Sequence, residues 1–189
     1  PVPCERGMYQ NITGSSVCKA CPAGEVCEGL GTSMPELCPR GYYCPQSTSI
    51  PTSHPCPNGT FSNMTKLRSI SECGACLAGM YCEVTGLTSP SGACQAGHYC
   101  GGGSITATPD EEYVSYTGDT CVDRSNSTTN GVCPQGHYCP IGSAAPQECP
   151  SRTFSNGTGL ENVTQCHPCP AGMYCPKTAT IEPSRLCTA

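Results

Sequence analysis

Nowhere along the chain do apolar residues recur at helical spacing. The pattern predicts only brief strands, near Met8 to Asn11, Thr60 to Asn63 and Thr153 to Asn156, paired as small hairpins. The stronger signal is an internal repeat. Six segments share the frame Cys-x-x-Gly-x-x-Cys, opening at Cys21, Cys38, Cys76, Cys94, Cys133 and Cys169 and closing at Cys27, Cys44, Cys82, Cys100, Cys139 and Cys175. A fixed glycine between two close cysteines (Gly24, Gly41, Gly79, Gly97, Gly136, Gly172) implies a tight turn with positive φ. Tyr precedes the closing cysteine in five frames (Tyr43, Tyr81, Tyr99, Tyr138, Tyr174) and Val26 does so in the first; the aromatic ring is expected to lie over a disulfide.

A second motif precedes some frames. Cys4-Glu-Arg-Gly7-Met-Tyr9 aligns with Cys56-Pro-Asn-Gly59-Thr-Phe61 and with Cys149-Pro-Ser-Arg152-Thr-Phe154, where Arg replaces Gly. Each copy runs on to a Cys-x-x-Cys pair: Cys18 and Cys21, Cys73 and Cys76, Cys166 and Cys169. The organisation read from these motifs is repeat 1 over 1–55, repeat 2 over 56–103, an irregular half-repeat with linker over 104–148, and a truncated repeat 3 over 149–189. In the half-repeat, Ser115-Tyr-Thr-Gly118-Asp-Thr-Cys121 reads as a decayed frame whose first cysteine has become Ser. Linkers are short and rich in Pro, Ser and Thr, as at Gln46 to Pro55, and Gly101 to Gly103 read as the most flexible joint. Cys187 reads as the opening of a further frame, so the array is expected to continue.

Composition changes the picture of what holds such a chain together. Leu, Ile, Val and Phe make up about 12% of it and Trp is absent, too little apolar surface for a single packed core. In its place stand 20 cysteines, a density typical of a disulfide scaffold. Ten bridges closing loops of about 10–20 residues would each contribute about 3 kcal/mol in the chain-entropy model. The expected fold is small and disulfide-rich: an elongated tandem array of cysteine-rich repeats with short β-hairpins, little or no helix and no single hydrophobic core.

Disulfides persist in oxidising compartments, and a second feature agrees. Of seven Asn, six begin an Asn-x-Ser/Thr acceptor for N-glycosylation: Asn11, Asn58, Asn63, Asn126, Asn156 and Asn162. With Ser and Thr at about a fifth of the chain, chance would supply about one or two. Asn11, Asn63 and Asn156 each stand seven residues after the opening cysteine of the second motif, so the glycan belongs to the repeat plan. An extracellular, secreted or cell-surface glycoprotein follows. No signal peptide or membrane-spanning stretch is present, and the chain reads as a mature or excised piece of an exported protein with no membrane insertion in this segment. The net charge of −5 offers no basic patch for nucleic acid.

A full repeat carries six cysteines, Cys4, Cys18, Cys21, Cys27, Cys38 and Cys44 in the first copy, and this unit resembles the ephrin-receptor-like cysteine-rich repeat of large extracellular proteins. The residues that carry the likeness are Cys56-Pro-Asn-Gly-Thr-Phe-Ser-Asn followed by Cys73-Gly-Ala-Cys76-Leu-Ala-Gly79-Met-Tyr81-Cys82. It covers nearly the whole chain apart from the stretch around Gly101 to Ser125. The cysteine order is also similar to modules of tumour-necrosis-factor receptors. That second resemblance implies a pairing of first with second, third with fifth and fourth with sixth cysteine. Carried over, it gives Cys4–Cys18, Cys21–Cys38, Cys27–Cys44, Cys56–Cys73, Cys76–Cys94, Cys82–Cys100, Cys121–Cys139, Cys149–Cys166 and Cys169–Cys187. Cys133 and Cys175 are left unassigned, with Cys175 expected to bond outside these residues. The residues alone leave the connectivity open, since six cysteines allow 15 pairings.

No reactive constellation emerges, and the chain is expected to be neither an enzyme nor a cofactor or metal protein. The Cys-x-x-Cys pairs could serve zinc, but each is followed by a further cysteine six positions on, in a chain full of glycosylation acceptors. A thioredoxin-like role would need a βαβ context that is absent. His98 and His137 occupy one frame position where other copies carry Glu25, Tyr42, Met80 or Met173, which reads as a surface position; His54 and His167 stand elsewhere. Asp110, Glu111 and Glu112 read as a solvated acidic loop rather than a calcium site. Two functions fit. One is a structural building block of an extracellular filament, flagellar hair or surface coat, with N-glycans, self-association or continuation into further repeats. The alternative is a ligand-binding receptor ectodomain or soluble binding module.

Overall fold

The computed structural model describes residues 2–110, 115–117, 120–122 and 129–185. Counting the opening cysteine as position 0, the motif at every copy folds into one turn. The N–H at position 4 donates to the carbonyl at position 1 over 3.0–3.4 Å in the nine turns that start at Cys4, Cys21, Cys38, Cys56, Cys76, Cys94, Cys133, Cys149 and Cys169. Position 3 has φ between +69° and +86° in all of them, the left-handed geometry of the third residue of a type II turn. The chain then leaves as a strand at positions 4 and 5 and returns just before the next opening cysteine. Met8–Tyr9 pairs with Lys19–Ala20, Glu25–Val26 with Glu36–Leu37, Thr60–Phe61 with Gly74–Ala75, and Met80–Tyr81 with Gly92–Ala93. His98–Cys100 pairs with Asn130–Val132, His137–Tyr138 with Gln147–Glu148, Thr153–Phe154 with His167–Pro168, and Met173–Tyr174 with Ser184–Arg185. All are antiparallel. The Cys38 frame keeps one antiparallel bridge, Tyr42 to Pro55, and adds a parallel one, Tyr43 to Leu67. Helix among the described residues is limited to two short 3-10 turns, Ile70–Glu72 and Val163–Gln165.

Two-residue strands do not stand alone in water. Each turn is instead clasped by the next one. The position-3 N–H donates to the position-6 carbonyl of the following turn over 2.6–3.0 Å, from Gly7 to Cys27 through Arg152 to Cys175. The next opening cysteine returns the bond, its N–H donating to the position-3 carbonyl over 2.8–3.0 Å, from Cys21 to Gly7 through Cys169 to Arg152. A second left-handed residue completes the step. Gly31, Ser47, Lys66, Gly86, Gly142, Gly159 and Ala179 have φ of +54° to +76°, and each donates its N–H across to the opening cysteine of the turn before its own, from Gly31 to the Cys4 carbonyl through Ala179 to the Cys149 carbonyl, over 2.7–3.0 Å.

The carbonyls of six of these residues also rest on a glycine two turns back. A Cβ built on Gly7, Gly24, Gly41, Gly79, Gly97 or Gly136 would lie closer than 3.0 Å to the carbonyl oxygen of Ser47, Lys66, Gly86, Gly142, Gly159 or Ala179 respectively. Glycine at position 3 thus answers two demands, the left-handed backbone and the close approach. Arg152 sits at that position with φ of +69°, where an L side chain costs about 1–2 kcal/mol. Arg152→Gly is expected to raise stability by about 1 kcal/mol after the added entropy of the unfolded glycine, read as a higher denaturation midpoint; an unchanged or lower midpoint would refute the strain at this turn.

The interior is made of sulfur. Among the described residues the buried apolar side chains are cysteines together with Val26, Leu67 and Pro109, and the largest fully buried side chains are all cysteines. Nine disulfides join the described residues. Six close a frame on itself: Cys21–Cys27, Cys38–Cys44, Cys76–Cys82, Cys94–Cys100, Cys133–Cys139 and Cys169–Cys175, with Cα atoms 5.8–6.0 Å apart. Three link the opening cysteine of the second motif to the first cysteine of the following pair: Cys4–Cys18, Cys56–Cys73 and Cys149–Cys166.

This corrects the pairing implied by the receptor-like modules. Cys21–Cys38, Cys27–Cys44, Cys76–Cys94, Cys82–Cys100, Cys121–Cys139 and Cys169–Cys187 are not formed, because one partner of each bonds within its own frame. Cys133 and Cys175, unassigned by that pairing, are bonded to Cys139 and Cys169, so Cys175 needs no outside sulfur. The type II turn is the physical reason. It folds the frame back until its two ends meet within the roughly 7 Å that a bridge allows. Cys187 and the side chain of Cys121 lie outside the described residues.

The chain forms two compact units, one of residues 1–76 and 82–91 and the other of 77–81 and 92–189. In the second, the Cys94 hairpin finds its return strand only at Asn130–Val132, so the intervening residues are a long insertion in one hairpin. Within it Ser115–Thr117 pairs directly with Thr120–Val122, placing Tyr116 opposite Cys121; the segment does not pair as a frame does. The glycine run at Gly101 is tied down rather than free. The Gly101 N–H donates to the Thr129 carbonyl at 2.6 Å and to Asn130 Oδ1 at 2.8 Å.

Candidate glycan-bearing turns

In the three open frames, those of Cys4, Cys56 and Cys149, position 6 is not cysteine but Gln10, Ser62 or Ser155, and the acceptor Asn follows at once. The substituted side chain pins the turn. Gln10 Oε1 accepts the Ile12 N–H at 2.9 Å, Ser62 Oγ the Met64 N–H at 3.2 Å, and Ser155 Oγ the Gly157 N–H at 3.3 Å. Ser62 and Ser155 are buried, and their own N–H groups donate to Leu87 and Thr180 carbonyls, both at 3.0 Å. Asn11, Asn63 and Asn156 are exposed at the crest of these turns. Three turns separated in sequence therefore share one local construction: a fixed backbone with an amide side chain turned to solvent. The role of Gln10, Ser62 and Ser155 was legible only as the missing cysteine of the frame.

The remaining acceptors differ. Asn58 is exposed at position 2 of the Cys56 turn, while the hydroxyl of its Thr60 donates to the Pro57 carbonyl at 2.6 Å. Asn162 caps the turn Val163–Gln165, its Oδ1 accepting from the Thr164 N–H at 2.7 Å and the Thr164 hydroxyl at 2.8 Å. Gln165 Oε1 accepts in return from the Asn162 N–H at 3.0 Å, a capping box. Asn126 lies outside the described residues.

The residues weighed for other chemistry are dispersed. Both cysteines of each Cys-x-x-Cys pair are in disulfides, the first bonded backwards and the second forwards. Position 4, read as a surface position, is half-buried at Glu25, Tyr42, Met80, His98 and His137 and exposed only at Met173. His98 Nε2 lies 3.6 Å from Asp110 Oδ1, and its Nδ1 is buried without a hydrogen-bond partner. Glu111 and Glu112 lie outside the described residues. His54 and His167 each face an aromatic ring, Tyr43 at 5.3 Å and Phe154 at 5.8 Å between centroids. The position-5 ring lies against its cross-strand partner: Phe154 on His167, Tyr9 under Lys19 Nζ at 5.8 Å, and Tyr81 beside Gly92. These hairpin contacts are what the structure shows for the aromatic position.

Among the described residues no helix is long and apolar enough to cross a membrane, and no group of three or more His, Cys, Asp or Glu is placed to hold a metal ion. No protein-family model matches the chain, and no curated protein matches it.

Proposed function

We propose that the chain is a structural, N-glycosylated building block of an extracellular filament, flagellar hair or surface coat, without catalytic activity. The observation that carries this reading is the clasp between successive turns. The same reciprocal backbone bonds recur from Cys4 to Cys175 with every side chain at positions 1, 2 and 4 free to vary. Such a unit contacts mainly its neighbours, so copies add without redesign. Disulfides and acceptor Asn both belong to an oxidising, exported setting, and the resemblance to extracellular repeat arrays agrees with it. Glycans on Asn11, Asn63 and Asn156 would cover the same turn of each open frame with carbohydrate.

One observation also suits a ligand-binding ectodomain. Leu30, Met34 and Leu37, on one hairpin of the Cys21 frame, are all more than half exposed, and exposed apolar clusters often mark interaction sites. Lateral packing in an assembly would use them as well. Electron microscopy of native material decides between the two: filaments or a lattice are expected, and dispersed monomers would give the ectodomain the better claim. Peptide mapping after enzymatic deglycosylation in heavy-oxygen water should find Asn11, Asn63 and Asn156 all labelled. Unmodified Asn at all three would sink the glycan covering.

A further inference from the structure

Val132, Pro134, Gln135, Thr158 and Ile181 line an open cavity of about 510 Å³ in the second unit, within the size range of small-ligand sites. We propose that this cavity seats the first sugar of an N-linked glycan on Asn156. The inference rests on the proposed glycosylation of Asn156.

Three observations converge on it. The cavity belongs to the acceptor turn itself. Thr158 is the third residue of the Asn156 acceptor and lines the wall, and Gln135 Nε2 donates to the Asn156 backbone carbonyl at 2.8 Å. The turn is also held in place. Ser155 is buried, with its N–H on the Thr180 carbonyl at 3.0 Å and its Oγ on the Gly157 N–H at 3.3 Å. A sugar attached there gives up less freedom on docking than one on a loose loop. Finally, the walls have the mixed character that an N-acetylated pyranose requires. Val132, Pro134 and Ile181 offer apolar surface to its C–H face, with Ile181 45% exposed, while the Gln135 amide and the Thr158 hydroxyl can meet its acetamido and hydroxyl groups.

Frame positions set the site apart from the acceptor turn of Asn63. Its walls come from the frame before Asn156, from the Asn156 turn and from the frame after. At the same positions around Asn63 stand Leu37, Pro39, Arg40, Thr65 and Thr88, so Thr replaces Ile181 and a cation replaces the amide.

The test is a time course of sugar release by a peptide N-glycosidase on the folded chain made in a glycosylating host, read site by site by mass spectrometry. Release at Asn156 should be at least about tenfold slower than at Asn63 in the same molecule. The double variant Q135A and I181T should bring Asn156 to the Asn63 rate. Both substitutions copy residues already present at those positions (Ala78 and Thr88), so the fold is kept. Equal release rates in the unsubstituted chain, or slow release that persists in the variant, would overturn the seat while leaving glycosylation intact. An unmodified Asn156 would overturn the glycan reading at this site and the seat with it.

Discussion

Reduction should unfold this chain, and a metal chelator should leave it folded. Val26, Leu67 and Pro109 are the only buried apolar side chains besides cysteine among the described residues, and a side chain such as Val or Leu contributes about 1.5–3 kcal/mol on burial. The six frame disulfides span a sequence separation of 6, shorter than the loops expected from composition, and each contributes about 2.4 kcal/mol in the chain-entropy model. The three longer bridges, with separations of 14 and 17, contribute about 3 kcal/mol apiece. Together they supply roughly 20 kcal/mol, more than the typical net stability of a domain. Near-UV circular dichroism should therefore collapse with reductant and stay unchanged with chelator. A signal that survives full reduction, or that is lost with chelator alone, would defeat the view that sulfur is the core.

The second large effect comes from a single methyl group. Gly41→Ala should cost about 3–5 kcal/mol, combining the left-handed backbone with overpacking. Its Cβ would meet the Gly86 carbonyl oxygen and carbon, both closer than 3.0 Å. Gly86 cannot retreat without losing its N–H bond to the Cys56 carbonyl at 2.8 Å. Gly172→Ala is the control: φ is +82° there too, but none of the described residues lies within 4 Å of the added carbon, so only about 1–2 kcal/mol should be lost. Denaturation midpoints of the two variants measure the difference. Equal losses would mean that the glycine serves the turn alone and that contact between turns two apart contributes nothing.

Much of this was legible in the sequence, and for identifiable reasons. A glycine three residues after a cysteine predicts a left-handed turn because few other residues occupy that backbone region at low cost, and the structure places every such glycine there. The poverty of large apolar residues predicted a sulfur core and short hairpins rather than wide sheets. The shared offset of Asn11, Asn63 and Asn156 predicted one construction, and the pinning by Gln10, Ser62 and Ser155 supplies it.

Other features were decided only through space. Which cysteine meets which depends on Cα separation, and spacing along the chain could not choose between closing a frame on itself and linking it to the next. The turn chose, by bringing positions 0 and 6 together while committing the position-3 N–H and carbonyl to the following turn. The insertion after Cys100 hid the return strand at Asn130–Val132, because strand pairing is indifferent to the length of chain between partners. The second left-handed residue leaves no mark in the sequence because glycine does not always stand there: Ser47, Lys66 and Ala179 take the place that Gly31 and Gly86 fill in other copies. Residue chemistry therefore determined the turn, the sulfur core and the acceptor positions, and the folded turn, by bringing the two ends of a frame together in space, determined the connectivity.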